Sequence, residues 1–314
     1  MTRFVAGRLG RLVFVLLLVT FATTWFLDLT PSSPAIAIAG PDAQPEILEA
    51  INEQYGFNDP LVTRYGRWIN DVTHGDLGRS YLTRQPVTES LVARLPVTIE
   101  LTLLATVLAL VLSVPAAMIT AYRSGSRIDR GTDVFTSIVL CMPSFLTALL
   151  LIYVFAIKLH WFPIQGWVPI SRSLTDNLRG AFLPALTVAM TEIVAFQRVL
   201  RADLIQTLQQ DYIAMARSKG ISTSRIMVRH ALRPSSLSLI TLGGISVARL
   251  LAGTIVVEIV FTLPGVGRLL VNAVLNKDLI MVQGLVLFIA GVYLVVNLLV
   301  DILYAAVDPR VRVR

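Results

Sequence analysis

Three features of this sequence predict an all-α polytopic membrane protein. Of its 314 residues 55% are hydrophobic and only 15% charged, whereas a soluble domain carries roughly a quarter charged residues. Apolar runs close to the length that crosses a bilayer, about 20 residues, fall at 9–29, 97–121, 132–157, 181–201, 236–262 and 283–306. Lys and Arg gather in alternate connecting segments rather than evenly along the chain. The expected fold is one membrane domain over 1–314, with six transmembrane helices and a helical insertion at 30–96 between the first two.

The first run follows Arg3, Arg8 and Arg11 and precedes Ala37-Ile38-Ala39, a pattern shared with cleavable signal peptides. Two points favour a retained span. The apolar stretch Leu12–Leu29 is longer than a usual signal core. Cleavage would also leave five spans and put the arginine-bearing C-terminus outside. The insertion at 30–96 is too long for a plain connector. Ile47, Leu48, Ile51 and Tyr55 recur at helical spacing, and after Asp59-Pro60 so do Leu61, Tyr65, Trp68, Ile69 and Val72. Two short amphipathic helices are expected, capping the bundle at its outer surface, with contact to an external partner as an added role. Polar interruptions make the boundaries of the later runs soft.

Orientation follows from the cations. With the N-terminus inside, the inner segments, with the run ends that adjoin them at Arg11, Arg198 and Arg201, hold 16 Lys and Arg and the outer segments 10, and Arg249 lies within the fifth run. The insertion also balances its five arginines with eight acids. Both termini are therefore expected in the cytoplasm, in a multi-pass protein of the cytoplasmic membrane among membrane lipids. This distribution accounts for the net charge of +7, and without an aromatic-interleaved basic patch it does not point to nucleic acid. Cys141 sits alone in an apolar run, and His74, His160 and His230 are far apart, so neither a disulfide framework nor a metal site is expected. The sequence has no glycine-rich loop followed by Lys-Ser/Thr, hence no nucleotide-binding P-loop of its own.

The inner segment at 202–235 contains Asp211 to Pro234, DYIAMARSKGISTSRIMVRHALRP. A helix with small residues at Ala214 and Ala216 is expected to run to Gly220, where a left-handed glycine stops it. A Ser/Thr turn then opens a second helix bearing Arg225, Arg229 and Arg233. Ala216 and Gly220, one turn apart, permit close approach of another backbone, so the segment suits docking from the cytoplasm. An ordinary solvated basic loop is the competing reading, since polytopic proteins commonly have such loops.

Ionisable residues within the runs are costly and therefore informative. Glu192 and Arg198 fall in the fourth run, Arg249 and Glu258 in the fifth, and Asp301 in the sixth. In one continuous helix Arg249 and Glu258, nine apart, face opposite ways. Arg249 then needs either a structural partner, for which Glu192 is the candidate, or a water-filled cavity with a carboxylate ligand. Glu258 is expected to fix packing near an outer gate, and Asp301 to pair with a cytoplasmic arginine.

The segment Tyr212–Pro234 resembles the EAA loop of permeases in binding-protein-dependent ABC importers, in its dipeptide/oligopeptide permease form. The resemblance extends to Gly75-Asp76-Leu77-Gly78-Arg79-Ser80, Arg94-Leu95-Pro96-Val97-Thr98-Ile99-Glu100, Trp161-Phe162-Pro163, Val257 to Gly267, and the tail from Asp301 to Arg310. It covers nearly the whole chain in order and looks most like the permease with the long outer loop. Departures fall at Ala214, where the broad pattern has an acid, at His230, where it has an aliphatic residue, and at Pro234, one place late.

The resemblance implies the type I importer permease fold and a division of labour. Two homologous permeases pair as a heterodimer around the pore. Two cytoplasmic ATP-binding subunits or domains carry ATP and Mg, and an extracytoplasmic binding protein delivers substrate. This chain would then have no catalytic residues and no cofactor of its own. Its ATPase contact would be Asp211, Tyr212, Ala214, Ala216, Arg217, Ser218, Lys219 and Gly220, while Arg249, Glu258 and Glu192 would belong to the pathway or gate. The implied substrates are short peptides, with glutathione or a nickel chelate as alternatives. A gradient-driven secondary transporter would predict paired, interrupted helices in two repeats, which the sequence lacks. An assembly factor or receptor anchor leaves the docking motif unexplained.

Overall fold

The computed structural model describes residues 2–29, 34–40 and 42–307. Asp301 lies in a helix, but its side chain is outside the described residues, as is the tail from Asp308. Helix α1 spans Thr2–Asp28 and α2 spans Pro34–Ala39. In the insertion, α3 (Pro45–Tyr55) starts on its proline and ends at Gly56, whose φ of 64° supplies the left-handed cap. Helix α4 (Leu61–Thr73) starts after Pro60. The two expected stripes behave differently. In α4 Trp68 is buried and Tyr65 hydrogen-bonds Thr20 and the Leu17 carbonyl of α1, whereas α3 has no buried residue.

Helix α5, Val87–Tyr122, has 36 residues and begins ten residues before the apolar run at 97–121. At 1.5 Å per residue it is about 54 Å long, well beyond a hydrocarbon core of about 30 Å. The run at 132–157 is not one straight helix. Helix α6 (Arg127–Cys141), capped by Ser126, is followed after Met142-Pro143 by α7 (Ser144–Leu151) and a π-helical turn at Ile152–Lys158. The two halves are bent by 110°. Pro143 has no N–H to continue the ladder, and it holds Met142 in extended backbone.

Helix α8, Leu174–Leu208, is capped by Ser173. Helix α9 (Asp211–Ser218) is followed by α10 (Thr223–Arg225), a π-helical turn at Ile226–Ala231 and α11 (Leu232–Gly253). The run at 236–262 is also divided, because α12 (Ile255–Val260) follows α11 after a break at Thr254. The opposite-face argument for Arg249 and Glu258 assumed a continuous helix and does not apply across this break. Helix α13 (Val266–Leu275) and α14 (Leu279–Val307) complete the order. Among the described residues, three helices are long and apolar enough to cross a membrane: Val87–Tyr122, Leu174–Leu208 and Leu279–Leu299. The bent pair makes a fourth candidate.

The chain forms two compact units. One comprises Met1–Thr98 with Pro264–Leu298, and its core joins Val87 and Leu91 to Val266, Ala273, Met281, Val282 and Leu285. The Thr98 hydroxyl accepts from Val266 N at 3.0 Å, supplying the start of α13 with a partner. The other unit holds Ile99–Leu263 and is built on α8, against which α6, α7, α11 and α12 pack. Phe196, Leu200 and Leu204 of α8 are fully buried. Gln197 donates to Thr120 of α5 at 3.1 Å, and Arg198 donates to Thr136 and Ser137 of α6 at 3.1 Å each.

Candidate functional site

The segment from Asp211 to Pro234 folds as a knot on the ends of α8 and α11. The Gln210 carbonyl starts α9, accepting from Ile213 N and Ala214 N. At the other end Gly220 has φ 73°, with Gly220 N donating to Arg217 O at 2.9 Å and Ile221 N to Ala216 O at 3.2 Å. This paired arrangement satisfies the last carbonyls of the helix and is available at little cost only to a residue that tolerates the left-handed region. Ile221 then packs with Leu208 on a core of Ile213, Ala216 and Ile226, which turns the chain back into α10.

That packing decides which face of α9 is free. Ile213 and Ala216 are buried, while Asp211, Tyr212, Ala214, Met215, Arg217 and Ser218 are exposed, as are Lys219 and Gly220 beyond the helix. The close approach permitted by Ala216 is made to Ile226 of the same chain. Met215, 58% exposed, is a large apolar side chain on the free face that sequence reading passed over. Ser218 is occupied locally, its hydroxyl donating to Met215 O at 2.8 Å. Arg217 lines an open groove of about 840 Å³ with Tyr122, Ser124, Gln209 and Thr223.

Two hydrogen bonds brace this region, one between α8 and α11 and one within the segment itself. Thr207 near the end of α8 and Ser235 in the first turn of α11 share a hydrogen bond of 2.9 Å, and Ser235 is buried. Tyr212 of α9 donates its hydroxyl to the His230 carbonyl at 3.3 Å. Nearby, Arg201 grips Asp129 through Nε at 2.7 Å and Nη2 at 2.6 Å, while Gly125 N donates to the same carboxylate at 2.8 Å. The Arg201 hydrogen bonds hold the buried Asp129 carboxyl below its ordinary range, against the opposing effect of burial and with help from Gly125 N.

Within the membrane-like helices, Glu192 and Arg249 meet. Arg249 Nη2 donates to Glu192 Oε1 at 2.7 Å and Oε2 at 2.9 Å, and to Ser246 Oγ at 3.3 Å. The carboxylate is buried and the guanidinium side chain 55% exposed. This is the structural pair weighed from sequence, and it answers the cost of burying Glu192. Glu258 is elsewhere and fully buried, accepting from Thr254 Oγ1 at 2.9 Å. Its backbone carbonyl accepts from Leu263 N at 2.8 Å across a turn in which Thr262 has φ 53°. Glu258 thus anchors the break between α12 and the segment that follows.

The first unit contains a junction that sequence reading did not isolate. Asp278 is buried, accepts a hydrogen bond from Ser80 Oγ, and lies 3.4 Å from both Tyr81 N and Met281 N. Ser80 Oγ in turn accepts from Leu82 N at 3.2 Å and Thr83 N at 2.9 Å. One carboxylate therefore caps α14 and holds the loop after Gly75-Asp76-Leu77-Gly78. Burial, with Asp278 adding to it, pushes the Tyr81 phenol up to about 12. A signal was present in the acid directly before an apolar helix, but its partner is 198 residues away.

Residues 113–313 match the family described as the inner membrane component of binding-protein-dependent transport systems, and residues 1–102 match that family's N-terminal region. The chain belongs to this family. The permease is 39% identical over 312 residues to a Brucella abortus protein named for a peptide transport system, covering 99% of each chain. It is 34% identical to the oligopeptide transport system permease protein AppB of Bacillus subtilis, over 95% of each chain. It is 33% identical to the glutathione transport system permease protein GsiC of Escherichia coli, over 99% of each. The chain is thus a multi-pass membrane subunit of an ABC importer, a class that works with ATPase and substrate-binding partners.

Proposed function

We propose that this permease forms half of the pore of a short-peptide importer and converts ATPase movement into gating. The observation that carries the coupling role is the geometry of α9. Its inner face is packed by this chain's own residues, while Ala214 and Met215 stand exposed beside the ring of Tyr212 and the cationic Arg217 and Lys219. Such a short helix, packed on Leu208 and on the π-helical turn that leads into α11, suits transmission of a displacement. Asp211, Tyr212, Ala214, Arg217, Ser218 and Lys219 would meet the ATPase, with Ala216 and Gly220 maintaining the shape of the turn. ATP and Mg would reside on that partner, and this chain would contribute no catalytic residue.

In this reading the chain is one membrane domain of six spans with cytoplasmic termini. Residues 30–96 form the extracytoplasmic insertion and 202–235 the coupling loop. A second, homologous permease completes the pore as a heterodimer, and an external binding protein supplies substrate. Arg249 and Glu192 lie on the pathway side, and Glu258 stabilises the gate region. Two relatives named for peptide and oligopeptide transport support a peptide substrate. The glutathione permease, itself named for transport of a tripeptide thiol, makes that solute the second candidate.

The test is affinity purification of the tagged chain from its native membrane in mild detergent, followed by mass spectrometry and uptake assays with labelled di- and tripeptides and glutathione. Recovery of a second permease and of ATP-binding subunits, with peptide uptake lost on deletion of the gene, is expected. Recovery of the folded chain alone would overturn the proposal. Loss of glutathione uptake only would move the substrate to the second candidate.

A further inference from the structure

The π-helical turn, to which α9 is bonded, and Pro234 lie just before the fifth apolar run. In an uninterrupted α-helix the His230 carbonyl accepts from the N–H four residues on. That residue is Pro234, which has no N–H to give. The carbonyl is instead reached by the Tyr212 hydroxyl, at 3.3 Å, from the second residue of α9. The preceding residues Ile226–Ala231 form the wide π-helical turn, and Ser235, one place after the proline, is buried against Thr207. Proline and π-turn sites are where helices bend. The sequence thus places a flexure point in the helix, and the fold sets the Tyr212 hydroxyl on the carbonyl that the proline cannot serve.

We infer that the Tyr212 hydroxyl and the His230 carbonyl form the contact through which displacement of α9 is delivered to α11, with Pro234 as the point that yields. This rests on the reading of α9 as the ATPase-coupling element. Tyr212 is a positioning residue, touching neither substrate nor nucleotide. Two features separate this role from general support. First, the hydrogen bond links a short exposed helix to a carbonyl that Pro234 cannot serve, whereas the packing of the turn is carried by Ile213, Ala216 and Ile226. Secondly, replacing Pro234 by a residue with an N–H gives the His230 carbonyl a competing donor inside its own helix. Tyr212 and Pro234 should therefore act as one element rather than two.

The test uses the complete transporter in proteoliposomes with its binding protein, measuring ATP hydrolysed per peptide imported. Tyr212→Phe keeps the ring and removes the donor. In samples matched for ATPase content it is expected to raise that ratio about 2- to 10-fold, the range set by losing one hydrogen bond. Pro234→Ala is expected to raise it as well, and the double variant to be no worse than Pro234→Ala alone. An unchanged ratio in Tyr212→Phe, or strictly additive effects in the double variant, would overturn the inference. Ala216→Leu serves as the control on α9 itself. If it uncouples while Tyr212→Phe does not, the relay is wrong and the coupling helix stands. If neither variant uncouples, the coupling assignment falls too.

Discussion

Two left-handed glycines, Gly78 in the loop before α5 and Gly220 in the turn after α9, solve the same backbone problem in opposite surroundings. Their φ angles are 88° and 73°. A Cβ at Gly78 would lie 2.5 Å from Ile280 Cγ2, whereas one at Gly220 would meet nothing within 4 Å. The turn at Gly78 is fixed twice, by backbone conformation and by the α14 side chain packed on it. The turn after α9 is fixed by conformation and by Ile221 packing inward on Leu208, Ile213, Ala216 and Ile226, while the glycine itself has nothing packed on it. Tight closure at Gly78 accompanies a buried carboxylate, Asp278, that ties loop to helix. Openness at Gly220 accompanies a helix with an unfilled face. One turn is built for rigidity within the chain, the other to leave room.

The comparison breaks most sharply at Asp278. Asp278→Ala removes the acceptor for Ser80 and the cap of α14, and should lower stability by about 3 kcal/mol. Thermal unfolding of the detergent-solubilised protein checks this. A loss near zero would mean the Ser80–Asp278 junction is not locked by its carboxylate. Gly78→Ala should follow at about 2 kcal/mol, from combined overpacking and left-handed strain. The matching Gly220→Ala should cost about 1 kcal/mol, since only the strain remains. Equal costs at the two glycines would erase the distinction between them.

The smallest effect concerns pH. Because Arg201 lowers the Asp129 carboxyl in the folded chain, its contribution is fully present above the unfolded value, about 4. It is lost as pH falls through the lower folded value. Unfolding of the wild type between pH 6 and 3 should therefore show a stability loss that Arg201→Gln reduces. Parallel pH profiles for the two proteins would contradict this clamp.

How much of this was legible in the sequence varies by type of interaction. The periodic stripe of α4, the glycine stop at 220 and the intramembrane pairing of Arg249 with Glu192 all rest on local pattern or on the high cost of an unpaired charge. Reading hydropathy alone smoothed over the breaks. Met142-Pro143 and Thr254 sit inside apolar runs, and apolarity does not distinguish one helix from two. Pro143 was a visible marker, but Thr254 was not. Ala216 was read as open to a partner because small residues permit close approach, and the sequence does not say whose backbone approaches. Ile226, ten residues on, fills that face. The Ser80–Asp278 junction was beyond reach because its members are distant in sequence and each has an ordinary local role.

The central claim is that the free face of α9 meets the ATPase. It is tested most directly by cross-linking from Met215, the large apolar residue on that face. Cys141 would first be replaced by Ser, Met215 changed to Cys, and the assembled transporter treated with a short thiol-to-amine cross-linker. A covalent adduct with an ATP-binding subunit is expected, its yield changing between nucleotide-free and ATP-bound states. An adduct with the second permease only, or none in a complex that still imports substrate, would contradict it.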